Sequence, residues 1–192
     1  TGKLKQRNSP SAVDLQMHPP RPPPRYPPRC RRCHRQSRLV ASSVHRSEEK
    51  VTEAFKTGKG VGWGEHDPMM FCGVERFFRP GYAANLVQAW IPALEGVEEK
   101  LLRGATVADV GCGHGITTII MGQAFPKSSF VGFDFHAPSV DRANRLAAEA
   151  GLEGRVKFEV ASAKDFPGSG YDLVTCFDCL HDMGDPQGTS SH

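Results

Sequence analysis

The chain contains no run of about 20 apolar residues, the length that a membrane-spanning helix needs. Its first 46 residues have one acidic side chain, Asp14, against 11 lysines and arginines, and they hold 8 of the 15 prolines. Large apolar residues are scarce in this stretch, which excludes a packed core there. Residues 47–192 hold 13 basic and 20 acidic residues, so the net charge of +3 combines a basic first part with an acidic second part. The basic balance of the whole chain therefore does not indicate nucleic-acid binding.

The N-terminal residues also lack the apolar segment of a signal peptide, and we expect a cytoplasmic protein. The six cysteines fit this expectation, because Cys112, Cys176 and Cys179 lie in or beside apolar runs and not in a secreted disulfide framework. The chain starts at Thr1 and ends at His192 without a closing element, which is typical of a fragment.

Residues 19–28, PPRPPPRYPP, favour polyproline II structure. They are either a ligand for a PxxP-binding groove or a solvated tail, and composition favours the tail. Residues 30–34, CRRCH, have the spacing of a c-type haem attachment site, but haem attachment requires export and a zinc site requires a second pair of ligands. We interpret this match as chance and predict no metal site. We predict that residues 1–46 form a disordered tail rich in proline and arginine.

Residues 47–102 are predicted to be a helical lead-in, with order beginning between about Ser47 and Gly60. Residues 58–82 mix glycines with aromatic side chains, which either pack over a pocket or seal one end of the core. Apolar residues at helical spacing predict a helix over residues 83–94, bent near its end by Pro92.

The sequence after residue 105 alternates short apolar strands with helices. The predicted strands are residues 106–110, 130–133, 156–160 and 172–177, and the predicted helices are residues 116–125, 138–150 and a short one around 163–166. This alternation implies right-handed crossovers and a parallel sheet. We predict an α/β fold with the strands in the order 3-2-1-4 and helices on both faces, which accounts for strands that are nearly all apolar.

A glycine-rich turn, GCGHG at residues 111–115, joins the first strand to the first helix of this part. Such a turn lets a ligand approach the backbone and the helix N-terminus. Ile116 stands where the dinucleotide fingerprint needs a third glycine, and Asp109 is a poor neighbour for a phosphate. The turn therefore favours a cationic ligand over a pyrophosphate. Cys112 and His114 lack further ligands nearby, so neither is assigned nucleophilic or metal chemistry.

Four segments resemble motifs of the class I S-adenosylmethionine-dependent methyltransferases. They are VADVGCGHG at 107–115, FVGFD at 130–134, ASAKDF at 161–166 and YDLVTCFD at 171–178. The resemblance covers roughly residues 60–186 and is strongest to bacterial stand-alone enzymes with a winged-helix-like N-terminal region. In this chain that region is either absent or replaced by the proline-rich tail. It implies a Rossmann-like domain over residues 103–192, with strands one to four of a seven-stranded sheet and three more strands after Pro186.

The resemblance also implies S-adenosylmethionine as cofactor. The residues it assigns to cofactor binding are Asp109, Gly111, Cys112, Gly113, Gly115, Asp134, Phe135, Ser162, Ala163, Lys164 and Phe177. Asp134 corresponds to the acid that holds the ribose hydroxyls; its alternative role is to cap the helix at Pro138. Ser162 stands where the family often has an acid, which leaves the adenine contact open.

Residues 179–186, CLHDMGDP, resemble the His-Asp-Trp segment of small-molecule O-methyltransferases, with Met183 in place of the tryptophan. By this resemblance His181 takes the proton from the acceptor, and Asp178 or Asp182 orients the ring or holds the acceptor. A pKa near 6.5 suits a histidine to this role. The alternative is a surface histidine that caps or starts the next helix.

We expect methyl transfer to a small molecule, with O-methylation favoured. The alternatives are a non-catalytic S-adenosylmethionine-binding regulator, an inactive truncated relic, or a nicotinamide oxidoreductase, and Ile116 argues against the last. No Asn/Asp-Pro-Pro-aromatic run follows the fourth strand, which disfavours a DNA base as substrate. The expected partner is a small-molecule acceptor, with neither a membrane nor a nucleic acid.

Overall fold

The computed structural model describes residues 31–190, with side chains from residue 38 onward. Its helices are α1 (Arg31–Arg46), α2 (Glu48–Thr57), α3 (Pro68–Asn85), α4 (Val97–Arg103), α5 (Ile116–Ala124), α6 (Ala137–Glu149) and α7 (Pro186–Ser190). Its strands are β1 (Thr106–Val110), β2 (Ser129–Asp134), β3 (Val156–Val160) and β4 (Leu173–Thr175). Short 3-10 turns occupy Trp63–Glu65 and Leu180–Asp182, and a π-helical turn occupies Leu86–Trp90. No helix in this part of the chain is long and apolar enough to span a membrane.

The four strands form one parallel sheet in the order β3-β2-β1-β4. This confirms the predicted α/β fold and strand order. The strand β4 is shorter than predicted, because the chain turns away at Asp178, whose backbone is left-handed with φ +54°. Among the described residues, β4 pairs with β1 alone.

One face of the sheet carries the main core. The helices α5 and α6 cover it, and the buried residues between them include Val107, Met121, Phe130, Ala143 and Phe158. Gly115, at the start of α5 with φ +73°, lies where a Cβ would collide with the Phe158 ring. A side chain at this position would therefore push α5 away from the sheet.

The opposite face holds only a small buried cluster of Ala108, Val110, Phe133 and Phe166, and none of its members lies on a helix. Val174 is 49% exposed on this face. The prediction of helices on both faces is therefore wrong for residues 31–190. The chain between β3 and β4 forms turns and no helix at residues 163–166, since Pro167 and the left-handed glycines that follow it interrupt any helical run.

Helix α1 corrects the predicted boundary of the tail, because residues 31–46 are helical and not disordered. Ser43 is fully buried, its hydroxyl donates to the Val40 carbonyl at 2.7 Å, and it also contacts the sulfur of Met70 on α3. A Cβ on Gly73 of α3 would lie 2.7 Å from Val40, so the glycine allows the two helices to approach closely. The composition of residues 1–46 taken together does not predict this contact. The segment 19–28 and the first cysteine of CRRCH lie outside the described residues.

Helix α3 corrects a second prediction. Most of the segment expected to be a glycine-rich aromatic cover is helical, and the helix expected over residues 83–94 is replaced by the end of α3 and a π-helical turn. The helix begins at a readable signal, because the carboxylate of Asp67 accepts from the Met69 amide at 2.8 Å and Pro68 follows it. The sequence does not predict this helix, because Gly73, Pro80 and Gly81 have low helix propensity.

Candidate functional site

A cavity of about 400 Å³ opens at the carboxyl edge of the sheet, where ligands of such α/β folds bind. The loops after β1, β2 and β3 form one side, here called the loop wall (residues 111–114, 134–135 and 161–164). Side chains of α3 form the other side, here called the helical wall (Phe71, Val74, Glu75, Phe78 and Tyr82). The segment after β4 lines the cavity between them with Phe177, Asp178, Cys179, Asp182 and Met183.

The glycine-rich turn of the loop wall is fixed to the end of β2. The amides of Gly111 and Cys112 donate to the Phe133 carbonyl at 2.8 and 3.1 Å. The Gly113 amide donates to the Asp134 carboxylate at 2.9 Å. Gly113 has φ +53°, and no heavy atom lies within 4 Å of the position that its Cβ would occupy. A ligand can therefore approach the backbone of this turn closely.

Asp134 lies at the end of β2 in the wall of the cavity and is 8% exposed. Its second carboxylate oxygen accepts from the His136 amide at 2.9 Å. The residue at the N-cap of α6 is His136 and not Asp134. The carboxylate thus holds the loops after β1 and β2 together and lies at the cavity.

Asp109 lies beneath the wall and is 1% exposed. Its carboxylate accepts hydrogen bonds from the hydroxyls of Thr117, Thr118 and Thr175 at 2.7, 2.6 and 2.9 Å. Burial raises the pKa of Asp109 although these hydrogen bonds act to lower it, and the charge of Asp134 raises it further. The structure gives Asp109 a supporting role, since it joins the start of α5 and the strand β4 to β1. Direct contact between Asp109 and a cofactor stays a prediction.

The helical wall is joined to the loop wall at two points. Glu75 and His114, whose side chains are 12% and 8% exposed, meet at 2.9 Å. Burial alone would raise the pKa of Glu75, but the hydrogen bond and charge of His114, with nearby arginines, hold it below its usual value. The ring of Phe71 stacks on His136 with centroids 4.4 Å apart. The first contact connects α3 to the loop after β1, and the second connects it to the loop after β2.

Aromatic rings continue from the helical wall to the end of β4. Tyr82 packs on Phe78 and on Phe177, with centroids 5.8 Å apart in both pairs. Burial, followed by the charges of Asp178 and Asp109, raises the pKa of Tyr82 to about 12. The Tyr82 hydroxyl therefore stays protonated and can donate a hydrogen bond. Of the two interpretations of segment 58–82, the structure supports cavity lining, although the adjacent Phe77 is 58% exposed.

The two predicted catalytic residues both lie in the segment after β4, but only one of them lines the cavity. Asp178 lines the cavity, whereas His181 does not and its side chain is 65% exposed. The His181 ring lies 3.9 Å from Asp178 and 3.4 Å from Asp182. The structure therefore brings Asp178, but not His181, into the wall.

Residues 101–191 match a family of methyltransferase domains. A probable tocopherol O-methyltransferase of Oryza sativa subsp. japonica is 30% identical over 153 residues, which cover 72% of this chain and 40% of that protein. A ubiquinone biosynthesis O-methyltransferase of Bordetella avium is 35% identical over 119 residues, which cover 58% of this chain and 45% of that protein. The chain belongs to the class I S-adenosylmethionine-dependent methyltransferases.

A solved structure confirms the fold. The mitomycin 7-O-methyltransferase MmcR covers 81% of this chain with a TM-score of 0.60 at 20% identity, and the match spans 48% of that protein. The chain spans less than half the length of each of these relatives.

Most residues that the sequence assigns to the methyltransferase cofactor lie in the cavity wall. These are Gly111, Cys112, Gly113, Asp134, Phe135, Ser162, Ala163, Lys164 and Phe177, whereas Asp109 and Gly115 lie behind it. Sequence reasoning missed Glu75 and gave no role to His114. No local signal reveals this pair, because 39 residues separate its members.

Proposed function

We propose that this methyltransferase domain binds S-adenosylmethionine against the loop wall and methylates a small molecule held against the helical wall. The observation that carries the proposal is the Asp134 carboxylate, which lies at the cavity and is fixed by the Gly113 and His136 amides. When bound, the cofactor supplies a methyl group on a sulfonium, which is electrophilic. The protein then has to align an acceptor with that methyl group.

The loop wall fits this cofactor. The carboxylate of Asp134 can accept hydrogen bonds from two ribose hydroxyls, and the open side of Gly113 leaves room for ligand atoms beside the backbone. Phe135, Ser162 and the two residues after it are proposed to lie on the adenine side of the cavity. The pocket is also large enough for a cofactor and part of a small acceptor.

The helical wall supports an acceptor that is small and at least partly apolar. The rings of Phe71, Phe78 and Tyr82 face the same cavity as the glycine turn. Oxygen is the proposed methylated atom, because the two relatives described above are named as O-methyltransferases. The proposed location is a reducing, cytoplasmic compartment, because the four cysteines whose side chains the structure describes are free thiols.

His181 with Asp178 remains the proposed base for the acceptor proton. The resemblance of residues 179–186 supports this role, and Asp178 already lines the cavity. The 3-10 turn Leu180–Asp182 would have to rotate to bring the His181 ring inside. His114, which lines the cavity beside Glu75, is the second candidate base.

The test is calorimetric titration of the protein with S-adenosylhomocysteine. Replacement Asp134→Ala removes a charged acceptor whose hydrogen bonds contribute roughly 1.5–3 kcal/mol each, so affinity should fall at least about tenfold. Asp141→Ala, an exposed position on α6, is the matched control and should leave affinity unchanged. Equal dissociation constants for the wild type and Asp134→Ala would remove Asp134 from the cofactor site.

A non-catalytic S-adenosylmethionine-binding regulator is the second candidate function. The exposed position of His181 outside the cavity favours it. Turnover distinguishes the two functions: labelled methyl transfer to a panel of small phenols and other hydroxyl compounds supports the enzyme. Tight S-adenosylhomocysteine binding with no transfer to any member of the panel would favour the regulator.

A further inference from the structure

Two cysteines lie close together just after β4, separated by Phe177 and Asp178. Both side chains are partly exposed and lie beside Val110: the Cys179 sulfur is 3.2 Å from its carbonyl oxygen, and Cys176 packs against the small buried cluster that contains Val110. Asp178, with φ +54°, is the single non-glycine residue of the described chain with a positive φ. This left-handed residue, a conformation that aspartate tolerates better than most residues, turns the chain between the two cysteines.

The two thiols differ in their surroundings. The hydrogen bond from Cys179 lowers the pKa of Cys176, although burial and the charge of Asp109 act in the opposite direction. The pKa of Cys179 is raised by its hydrogen bond to Cys176, by burial and by negative charge nearby. The Cys179 thiol has a single proton, which it donates to the Val110 carbonyl at 3.2 Å when that proton is not directed at Cys176. Cys176 is therefore the better nucleophile, and Cys179 retains its proton.

We propose that Cys176 and Cys179 form a redox-active dithiol that a small-molecule disulfide, such as oxidised glutathione, converts into an intramolecular disulfide. The Cys176 thiolate attacks one sulfur of the oxidised glutathione, whose S–S bond breaks and releases one glutathione thiolate. Cys179 then gives its proton to that thiolate and attacks the Cys176 sulfur. The Cys176–Cys179 bond forms as the second glutathione leaves, and two electrons have passed from the dithiol to glutathione.

The disulfide would change the wall of the cavity. The Cys179 sulfur lies 2.7 Å from the position that a Cβ on Gly111 would occupy, so it packs directly on the glycine turn. Oxidation removes the S–H that donates to the Val110 carbonyl at the start of that turn. This consequence rests on the proposed function: affinity for S-adenosylhomocysteine should fall about fivefold, the equivalent of one neutral hydrogen bond.

The first test is peptide mass mapping of the chain after incubation with oxidised glutathione, with Cys30 and Cys33 replaced by serine. Trypsin places Cys176 and Cys179 together in residues 165–192 and Cys112 in residues 104–127. The expected product is the peptide 165–192 lighter by two hydrogens and returned to its original mass by dithiothreitol. An unchanged peptide, or a cross-link to residues 104–127, would overturn the proposal. This readout does not depend on cofactor binding or methyl transfer.

Single variants test the order of attack. Cys179→Ser should trap glutathione on Cys176, whereas Cys176→Ser should leave Cys179 unmodified. Cys72→Ser, which alters a cysteine of α3 away from the cavity, is the control and should still form the disulfide. Glutathione trapped equally on either cysteine would contradict the assigned roles. Affinity for S-adenosylhomocysteine that is the same in the oxidised and reduced wild type would overturn the link to the cavity.

Discussion

The loop wall and the helical wall of the cavity are held by different interactions. Backbone amides bonded to the Phe133 carbonyl and the Asp134 carboxylate fix the loop wall. Ring contacts and the pair Glu75–His114 hold the helical wall. The loop wall is therefore built by the strand ends themselves, whereas the helical wall depends on contacts between segments far apart in the chain. The loop wall is therefore suited to a cofactor that relatives share, and the helical wall is suited to an acceptor that differs from one relative to another.

The largest expected effect concerns the segment between the two walls. If His181 is the base, His181→Ala should lower kcat by roughly 10²–10⁴-fold in a protein with an identified acceptor and leave S-adenosylhomocysteine affinity nearly intact. Steady-state kinetics and calorimetry on the same variant measure both quantities. An unchanged kcat would move the role to His114, which His114→Gln then tests in the same assay.

Loss of the support beneath the loop wall should have the next largest effect. Asp109→Ala leaves the hydroxyls of Thr117, Thr118 and Thr175 without their common acceptor, and we expect the free energy of unfolding to fall by about 3 kcal/mol. Urea unfolding measures the change, with Asp141→Ala as the exposed control. A loss no larger than that of the control would show that the buried carboxylate does not fix the loop wall.

The helical wall should affect the acceptor and not the cofactor. Phe78→Ala removes a ring from the cavity and from the contact with Tyr82, so the KM for an aromatic acceptor should rise by roughly five- to tenfold. S-adenosylhomocysteine affinity should change less than about twofold. Phe77→Ala, on the same helix but 58% exposed, is the matched control. A variant that loses cofactor affinity instead would break the division between the two walls.

The smallest expected effect is a pH dependence at the junction of the walls. The lowered pKa of Glu75 means that the folded state binds a proton less readily than the unfolded state. Its stabilising contribution is present above the usual value of 4.5 and is lost as the pH falls through the lowered pKa. In Glu75→Gln the free energy of unfolding should no longer contain this pH-dependent contribution, which is less than about 1 kcal/mol. Urea unfolding between about pH 6 and about pH 3 measures it; parallel curves for wild type and variant would contradict the assignment.

The sequence predicts the glycine turn and the end of β2 well because their signals are local, whereas the third part of the loop wall, residues 161–164, forms turns where the start of a short helix is expected. A short apolar strand, three glycines in five residues and a helix fix the turn at residues 111–115, and Asp134 follows from the end of the next strand. The bounds of β1 and β3 are predicted to the residue for the same reason.

The helical wall is not predicted, because its contacts join distant residues. Gly73 weakens the helical signal of α3 and yet allows α1 to pack against it, so two helices are missed together. The sequence around His114 does not show its partner, because Glu75 contacts it only when α3 packs beside the glycine turn. For His181 the sequence predicts too much. Its motif predicts a residue in the site, but the backbone turns at Asp178 and the exposed His181 ring lies outside the cavity.

The loop wall is proposed to hold an S-adenosyl cofactor and not a dinucleotide. Calorimetric titration of the protein with S-adenosylhomocysteine, and separately with NAD, tests it most directly. We expect saturable binding of S-adenosylhomocysteine to one site and no heat of binding with NAD. Saturable binding of NAD with no binding of S-adenosylhomocysteine would contradict this assignment of the loop wall.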